Sequence, residues 1–470
     1  MNLNHINVIA RYEVKLVKRS WLFRIFAILA LLFISAIMLG YQTGIVNRMD
    51  NLWPRIAVSS LMPFCNTYFY NIAQSVIVVF LAGSFLKRDK KLDTAEVIYV
   101  RPMSNADYIV GKTWGIVKVF ITLNIITLLF TAFLNILINK SPFDLFPYLF
   151  YLLTISVPSL LFVLGLSFTA MCILKNQAVT FIVMLGIIGT VFFYLTDTLY
   201  GVFDFFGVNI PAIFSDVTGH ADLRLFLLQR FSYLLAGIGL ISMTIALVKR
   251  LPHKPWKIAV VYTFSSLFLL AACLGGLLYI LHYNHQLDLR NQYIMTFDKY
   301  ADVPHVDLLV NDISVTPQGH RLAGKSTVKV ANNNAKPLDK IIFYLNPELT
   351  VTSVEMAGKN LPFRRDHQVI EVDQPIQQQE ELTLTINYEG KISENICYTD
   401  VLTEDYLDTK VPQVFWRFGK RYAWLSNTFT LLTPECIWYP VTIAPVNPGA
   451  PYNVRKNFTD YTLTVHYEGD

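Results

Sequence analysis

The stretch IAVVYTFSSLFLLAACLGGLLYILH, residues 258–282, decides how the chain is organised. Its first 24 residues carry no charge before His282, and about 20 apolar residues are enough for a helix to cross a bilayer. If this stretch crosses a membrane, the polar residues after it lie on the opposite side from the segment before it. The sequence therefore predicts a membrane-spanning helix here and a separate domain from residue 283 onward.

Six further apolar runs precede this stretch, at 21–41, 62–85, 114–138, 149–174, 179–195 and 231–248. The composition agrees, because 53% of the residues are hydrophobic and 16% are charged, against about a quarter charged in soluble domains. The predicted fold is a polytopic α-helical membrane bundle of about seven spans. A further apolar stretch, 199–214, is interrupted by Asp204, Asn209 and Pro211 and predicts a re-entrant or interfacial loop.

Lys and Arg residues are concentrated in alternate connecting segments: before the first run, between the second and third, and between the sixth and seventh. Cytosolic loops carry the excess of Lys and Arg. The N-terminus is therefore predicted inside and residues 283–470 outside a cytoplasmic (plasma) membrane that the chain crosses several times. The net charge of +5 is modest and lies mainly in these segments, so we do not expect nucleic-acid binding.

Residues 283–470 contain segments with the two-residue alternation that is typical of β-strands. Leu382, Leu384 and Ile386 alternate with Thr383 and Thr385, and turn-forming residues separate such segments. We expect an all-β, sandwich-like extracytoplasmic domain. The predicted divisions are 1–20 for a cytosolic interfacial helix, 21–250 for six spans, 251–282 for the seventh span and 283–470 for the β domain.

The segment ADYIVGKT, residues 106–113, fits the loose form of a phosphate-binding P-loop. A P-loop needs a flexible segment whose backbone N–H groups wrap around phosphates. Here an acidic residue and two β-branched residues occupy that segment. Ser104 followed by Asp107 has instead the spacing of a capping box, which begins a helix. The sequence therefore predicts a helix start rather than a nucleotide site.

Residues 1–20 have the pattern of an amphipathic helix. Ile6, Ala10 and Val17 share one arc, while Arg and Lys residues lie roughly opposite, as in helices that lie in a membrane interface. Glu13 falls within the apolar arc and makes the pattern imperfect. Simple positive flanking of the first span remains the alternative.

The longest predicted inner loop is KRDKKLDTAEVIYVRPMSNADYIVGK, residues 87–112. Asp93 and Glu96 have the spacing of a capping box for a short helix. Arg101 ends that helix, because a residue before proline disfavours the α conformation. A short helix on the cytosolic face would suit a partner protein as a lever, and a solvated charged loop is the alternative.

The order of these segments and the pattern of this loop resemble the membrane subunits of ABC exporters of the type II permease family, over about residues 5–250. The resemblance implies that the inner loop 86–112 docks on a separate ATPase and that the chain pairs with itself or with a sister permease. That family usually has six spans, so the seventh is a departure. The ATPase-coupling residues it implies are Arg88, Asp93, Thr94, Glu96, Arg101, Pro102, Tyr108 and Lys112.

The segments LAGKSTVKVANNN at 322–334, ELTLTINYEGKI at 381–392 and TPECIWYP at 433–440 resemble the N-terminal β domain of aminopeptidase N-like zinc metallopeptidases. The resemblance covers about residues 306–470 and leaves out the catalytic domain. None of the nine histidines is followed by Glu, as the zinc-binding HExxH motif of that family requires. We therefore expect no metal, no cofactor and no enzymatic activity.

The outer β domain is then expected to be a binding or docking module, with a separate peptidase as one expected partner. Two alternatives to the exporter subunit remain open. The first is a membrane-anchored, non-catalytic fragment of a zinc aminopeptidase, and the second is a membrane receptor.

Polar residues within the predicted spans are costly in a bilayer. Thr67, Asn71, Gln74 and Ser75 fall on one face of the second span, and Asn124 lies in the third. These residues either line a substrate path or form hydrogen bonds between helices, and the sequence leaves both interpretations open.

Two of the five cysteines, Cys397 and Cys436, lie in the predicted outer domain. If that side of the membrane is oxidising, they could form a disulfide. Their spacing alone is weak support for the pairing.

Overall fold

The computed structural model of the chain forms two compact units, which divide at Leu281 and His282. We call them the helical unit and the β-rich unit. The structure describes residues 2–43, 59–83, 103–138, 142–196, 198–207, 210, 212–215, 219–220, 222–248, 255–403, 421–427, 429–444 and 458–467.

Helices dominate the described part of the helical unit. They are α1 (Leu3–Arg19), α2 (Trp21–Thr43), α3 (Leu61–Gly83), α4 (Asn105–Ile138), α5 (Leu145–Tyr151), α6 (Val157–Leu174), α7 (Gln177–Thr190), α8 (Leu223–Leu247) and α9 (Pro255–Tyr300). A π-helical turn, Leu152–Ser156, joins α5 to α6, and a second one, Val191–Leu195, extends α7. A short ribbon of β1 (Phe214–Ser215) and β2 (Gly219–His220) precedes α8.

Local sequence signals set several helix ends. The side chain of Asn2 accepts a hydrogen bond from the backbone N–H of Asn4 at the start of α1. Asn176 caps α7 in the same way, as Asn commonly does. Directly before it, Lys175 takes a left-handed conformation with φ of 55° and ends α6.

Seven helical segments of the described chain are long and apolar enough to cross a membrane. They coincide with the seven apolar runs of the sequence, so the prediction of seven apolar helices is confirmed. Their insertion into a membrane and the orientation of the chain stay predictions. A shared apolar core that includes Met38, Val78, Phe120 and Phe168 packs the first six of these helices together.

The described β-rich unit contains three sheets after the end of α9. Its strands are β3 (Asp307–Gln318), β4 (Arg321–Ala331), β5 (Ile341–Tyr344), β6 (Leu349–Met356), β7 (Lys359–Asn360), β8 (Phe363–Asp366), β9 (Val369–Val372), β10 (Glu381–Gly390), β11 (Ala423–Leu425), β12 (Thr430–Leu432) and β13 (Asp460–Val465). The sheet orders are β13-β3-β4-β10-β6-β7, β5-β9-β8 and β11-β12. Paired strands are antiparallel except β13 and β3, which are parallel.

The alternation predicted for 382–388 appears in β10, where Leu384, Ile386 and Tyr388 are buried. They share a core with Val328 of β4 and Phe343 of β5. The β-rich character of the C-terminal region is thus confirmed, while a sandwich shape stays a prediction.

The predicted β domain, 283–470, opens with a helical segment, because α9 continues to Tyr300. Arg290, Tyr293 and Tyr300 are buried and recur at the three- and seven-residue spacing of one helical face. This segment was not recognised as helical in the sequence.

Candidate functional site

The GKT segment lies inside α4 and not in a phosphate-binding loop. The hydroxyl of Ser104 accepts a hydrogen bond from the backbone N–H of Asp107 at 3.0 Å. The carboxylate of Asp107 in turn accepts one from the backbone N–H of Ser104 at 3.1 Å. These reciprocal bonds form the predicted capping box, and the helix-start interpretation is confirmed.

The helix α1 packs against the first half of α4. A side chain at Gly111 would place its Cβ 2.8 Å from that of Ile9, and one at Gly115 would lie 2.9 Å from the backbone oxygen of Ala10. The two glycines therefore allow a close approach of the two helices. The apolar arc predicted for α1 is covered by this contact.

A buried ion pair joins the two helices. The ammonium nitrogen of Lys112 lies 3.4 Å from a carboxylate oxygen of Glu13, and the two side chains are 4% and 1% exposed. A buried charge is stable only with a partner. Glu13 can occupy a position within the apolar arc because its carboxylate faces the ammonium group of Lys112. Spacing along one helix could not reveal this partner on another helix.

The beginnings of α1 and α4 are also linked. The carboxylate of Asp107 accepts a hydrogen bond from the backbone N–H of Asn2 at 2.8 Å, and the imidazole of His5 lies 3.8 Å from it. We call the contact between α1 and the first turns of α4 the α1–α4 junction. Two of the predicted coupling residues, Tyr108 and Lys112, lie in these turns of α4. The other coupling residues lie outside the described residues: Arg88, Asp93, Thr94, Glu96, Arg101 and Pro102.

The polar residues predicted within the spans are all buried. The amide nitrogen of Asn71 donates to the hydroxyl of Ser159 at 3.0 Å and to the backbone oxygen of Phe206 at 2.6 Å. Gln74 donates to the amide oxygen of Asn71, and Ser75 donates to its backbone oxygen at 2.8 Å. These contacts tie α3 to α6 and to the 199–214 stretch.

Thr67 and Asn124 differ from these residues. The hydroxyl oxygen of Thr67 and the amide oxygen of Asn124 are buried and have no hydrogen-bond partner in the described chain. The predicted path therefore divides into a bonded group and an unbonded group.

Arg230 is a central residue that the sequence interpretation missed. It directly precedes the sixth apolar run and was taken for a loop residue, yet only 1% of it is exposed. Its guanidinium donates to the backbone oxygens of Thr154, Asp204 and Phe205 and to the hydroxyl of Ser159, at 3.0–3.3 Å. The position of Arg230 directly beside an apolar run was a signal in the sequence that could have indicated its burial.

Residues 204–207, within the 199–214 stretch, fold around this guanidinium. Gly207 has φ of +70°, and a Cβ there would lie 2.5 Å from an Arg230 nitrogen, so only glycine fits. The backbone N–H of Gly207 also donates to the carboxylate of Asp204 at 3.0 Å. Asp204, one of the residues that interrupt this apolar stretch, thus belongs to a buried polar turn.

The two outer cysteines are neighbours in the β-rich unit. The sulfur atoms of Cys397 and Cys436 are 3.4 Å apart and fully buried. Burial raises the pKa of the Cys397 thiol well above its usual value, which keeps that thiol protonated. The structure brings the two residues together, and a covalent bond between them stays a prediction.

A buried arginine supports the cysteine segment. Arg290 donates to the backbone oxygens of Cys397 at 2.6 Å and Tyr398 at 2.8 Å. On the other side, the amide of Asn346 donates to the backbone oxygen of Cys436 at 2.7 Å. Both cysteines are therefore held through their own backbones.

A charged cluster lies on the three-stranded sheet. Hydrogen bonds from Tyr300 and Lys340 lower the pKa of Glu371 below its usual value. A hydrogen bond from Lys299, at 2.5 Å, does the same for Asp366. The described residues contain no group of three or more His, Cys, Asp or Glu placed to hold a metal ion.

No family model and no curated protein matches the chain. Among solved structures, it is similar to a point mutant of an M1 zinc metallopeptidase from Deinococcus radiodurans bound to a Tyr-Ser-Ala substrate. The identity is 18% over 35% of this chain and 33% of that chain, with a TM-score of 0.25. It is also similar to the M1 zinc metallopeptidase of that organism at 23% identity, over 19% and 21% of the two chains, with a TM-score of 0.17.

The prediction that the chain is not an enzyme is wrong by this comparison, because both structures come from an enzyme family. The matched part spans a third or less of those peptidases, and a likeness of this size assigns no reaction to any residue here. The structures belong to the same class of protein that the outer segments resemble in sequence. No comparison confirms the ABC permease resemblance.

Proposed function

We propose that the chain is the membrane subunit of an ATP-driven exporter of the ABC type, energised by a separate ATPase that docks on the inner loop 86–112. The observation that carries the proposal is the buried Glu13–Lys112 ion pair at the α1–α4 junction. It fixes α1 to α4, the helix that begins at Asn105 within the last part of that segment. A force applied to the loop would therefore act on α1 and α4 together.

Within this proposal the bonded polar group transmits the movement. Arg230 joins α8 to the α5–α6 turn and to the 199–214 stretch, and Asn71 joins α3 to α6. Because few alternative partners exist in an apolar surrounding, such contacts favour discrete arrangements over gradual deformation. The helices would then exchange between inward-open and outward-open arrangements.

We further propose that the chain lies in a cytoplasmic membrane as a homodimer or beside a sister permease, with the β-rich unit outside. That unit would act as a binding or docking module, and a separate peptidase is a suitable partner. The support is the order of seven apolar helices followed by several sheets.

The test is an affinity purification of the tagged full-length chain from mild detergent, with the co-purified proteins identified by mass spectrometry. We expect a P-loop ATPase, and we expect its loss with the double variant Glu96→Ala and Arg101→Ala. Lys175→Ala, in a different predicted inner segment, is the matched control and should retain it. The recovered ATPase should also hydrolyse ATP faster with the parent chain than with the double variant.

Absence of an ATPase under these conditions refutes the exporter proposal. Recovery of an HExxH-containing chain in its place would favour a membrane-anchored peptidase complex. Recovery of neither protein would favour a receptor.

A further inference from the structure

Eight buried side chains of the described helical unit have polar atoms without hydrogen-bond partners, and four of these lie on three neighbouring elements. The unbonded atoms of these four are both amide atoms of Asn66, the hydroxyl of Thr67, the amide oxygen of Asn124 and the hydroxyl of Ser156. Their residues are at most 3% exposed. Asn66 and Ser156 are additions to the residues that the sequence placed on a substrate path.

These side chains lie at one level of the helical unit. The rings of Phe64 on α3 and Tyr151 on α5 are 5.6 Å apart, and one turn of helix further along come Asn66 and Thr67 on α3 and Ser156 after α5. Asn71 and Ser159 then meet directly, so α3 runs parallel to the α5–α6 segment.

The third helix, α4, reaches the same level from the opposite direction. Leu128 of α4 shares a small apolar cluster with Leu152, and the amide of Asn135 donates to the backbone oxygen of Pro142 where the chain returns towards α5. Asn124 is one turn from Leu128, and Ser156 is one turn from Leu152. The helix α3 packs against both α4 and this turn. The unbonded side chains of these three elements therefore lie at the same level along the helix axes, on elements that contact one another.

Burying polar atoms without hydrogen-bond partners lowers the stability of the folded protein. A buried donor or acceptor without a partner costs about 1–3 kcal/mol, and native structures satisfy most such atoms with protein, water or ligand. Directly below this level, Asn71, Ser159 and Arg230 are bonded to one another and to backbone oxygens. At the level of Thr67, by contrast, three neighbouring elements each contribute an unbonded side chain, while single unbonded atoms such as the amide oxygen of Gln229 also occur elsewhere in the described helical unit.

The chemistry of the four side chains defines the ligand. None carries a formal charge, and the nearby guanidinium of Arg230 is engaged by oxygen atoms of the protein. The side chain of Asn66 offers a donor and an acceptor in one plane, which can pair with the N–H and C=O groups of one residue in an extended peptide backbone. Asn124 adds an acceptor, and the two hydroxyls can donate or accept.

We propose that Asn66, Thr67, Asn124 and Ser156 form a binding site for the uncharged backbone of a peptide. The identification of this peptide as the transported substrate rests on the proposed exporter function, whereas the binding site itself does not. The four residues form an amide site within the helical unit, separate from any site in the β-rich unit.

The test measures the binding of N-acetyl-trialanine-N-methylamide to the full-length chain in lipid nanodiscs by calorimetry. The matched probe is the same peptide with every backbone nitrogen methylated, which removes its donors. We expect the methylated probe to bind about tenfold more weakly or worse, as one lost hydrogen bond in a buried site predicts. Asn66→Leu should weaken the unmethylated probe to a similar extent.

Thermal stability separates a ligand site from a structural polar group. Without ligand, Asn66→Leu should raise the unfolding temperature, because it replaces an amide that has no hydrogen-bond partner with an apolar side chain of similar size. Asn135→Leu is the matched control on α4, and it should lower the unfolding temperature because the Asn135 amide is bonded. The parent chain should gain stability from the unmethylated peptide, and the Asn66→Leu variant should not.

Three outcomes overturn the inference: no measurable peptide binding, equal binding of the two probes, or a lower unfolding temperature for Asn66→Leu. The last would mean that ordered water or protein already satisfies the amide. These results are independent of the ATPase purification, so failure of the exporter proposal and failure of the peptide site are distinguishable.

Discussion

Removing one member of the Glu13–Lys112 pair should destabilise the helical unit strongly. At 3.4 Å the attraction is about 5 kcal/mol for an effective dielectric constant of about 20. Removing one partner of a buried ion pair typically costs about 3–5 kcal/mol. Since a domain of 150–250 residues loses about 2–4 °C per kcal/mol, Glu13→Leu or Lys112→Met should lower the unfolding temperature by about 6–20 °C.

The double variant Glu13→Leu with Lys112→Met should recover most of this loss, because an apolar pair of similar volume replaces a buried ion pair at little net cost. The assay is thermal unfolding of the full-length chain in detergent, followed by a dye that reacts with thiols exposed on unfolding, such as the buried Cys65. Lys15→Met, at an exposed position of α1, controls for loss of a surface charge. Additive effects of the two single changes would refute the pairing.

Two further predictions concern the β-rich unit. The lowered pKa of Glu371 implies a stabilisation that is present above its ordinary value of 4.5 and lost as the pH falls through the folded value. Acid unfolding between about pH 5 and pH 3 should therefore become less steep with Glu371→Gln and stay unchanged with Glu389→Gln, at an exposed position of β10. An equal effect of both changes would contradict this cause. The adjacent Cys397 and Cys436 should form a disulfide when the unfolded chain is refolded under oxidising conditions. Peptide mapping without reduction should detect it, and two free thiols after that treatment would exclude it.

The capping residues and the apolar runs were readable in the sequence, because each depends on neighbours a few positions away. Ser104 and Asp107 formed the expected box, and the alternation of Leu384 and Ile386 marked a strand correctly. The end of α9 was missed, because its buried face contains Arg290, a residue type that hydrophobic periodicity excludes. Its partners are backbone oxygens more than 100 positions away.

The candidate sites show the same division. Thr67, Asn71 and Asn124 were recognised from their cost inside an apolar helix, but the sequence could not distinguish the bonded Asn71 from the unbonded Thr67. Arg230 was assigned to a loop, since its charge suggested solvent, and tertiary contacts with three backbone oxygens and a hydroxyl make its burial acceptable.

By itself, the sequence determined seven apolar helices, a β-rich region after them and the helical state of the GKT segment, because hydrophobic length, two-residue alternation and capping are local properties of the chain. Only the tertiary structure decided that Glu13 faces Lys112, that Arg230 is buried, and that Cys397 adjoins Cys436. These contacts join residues between 25 and 99 positions apart. Their energies depend on which helix or strand packs beside which, and no local pattern specifies that.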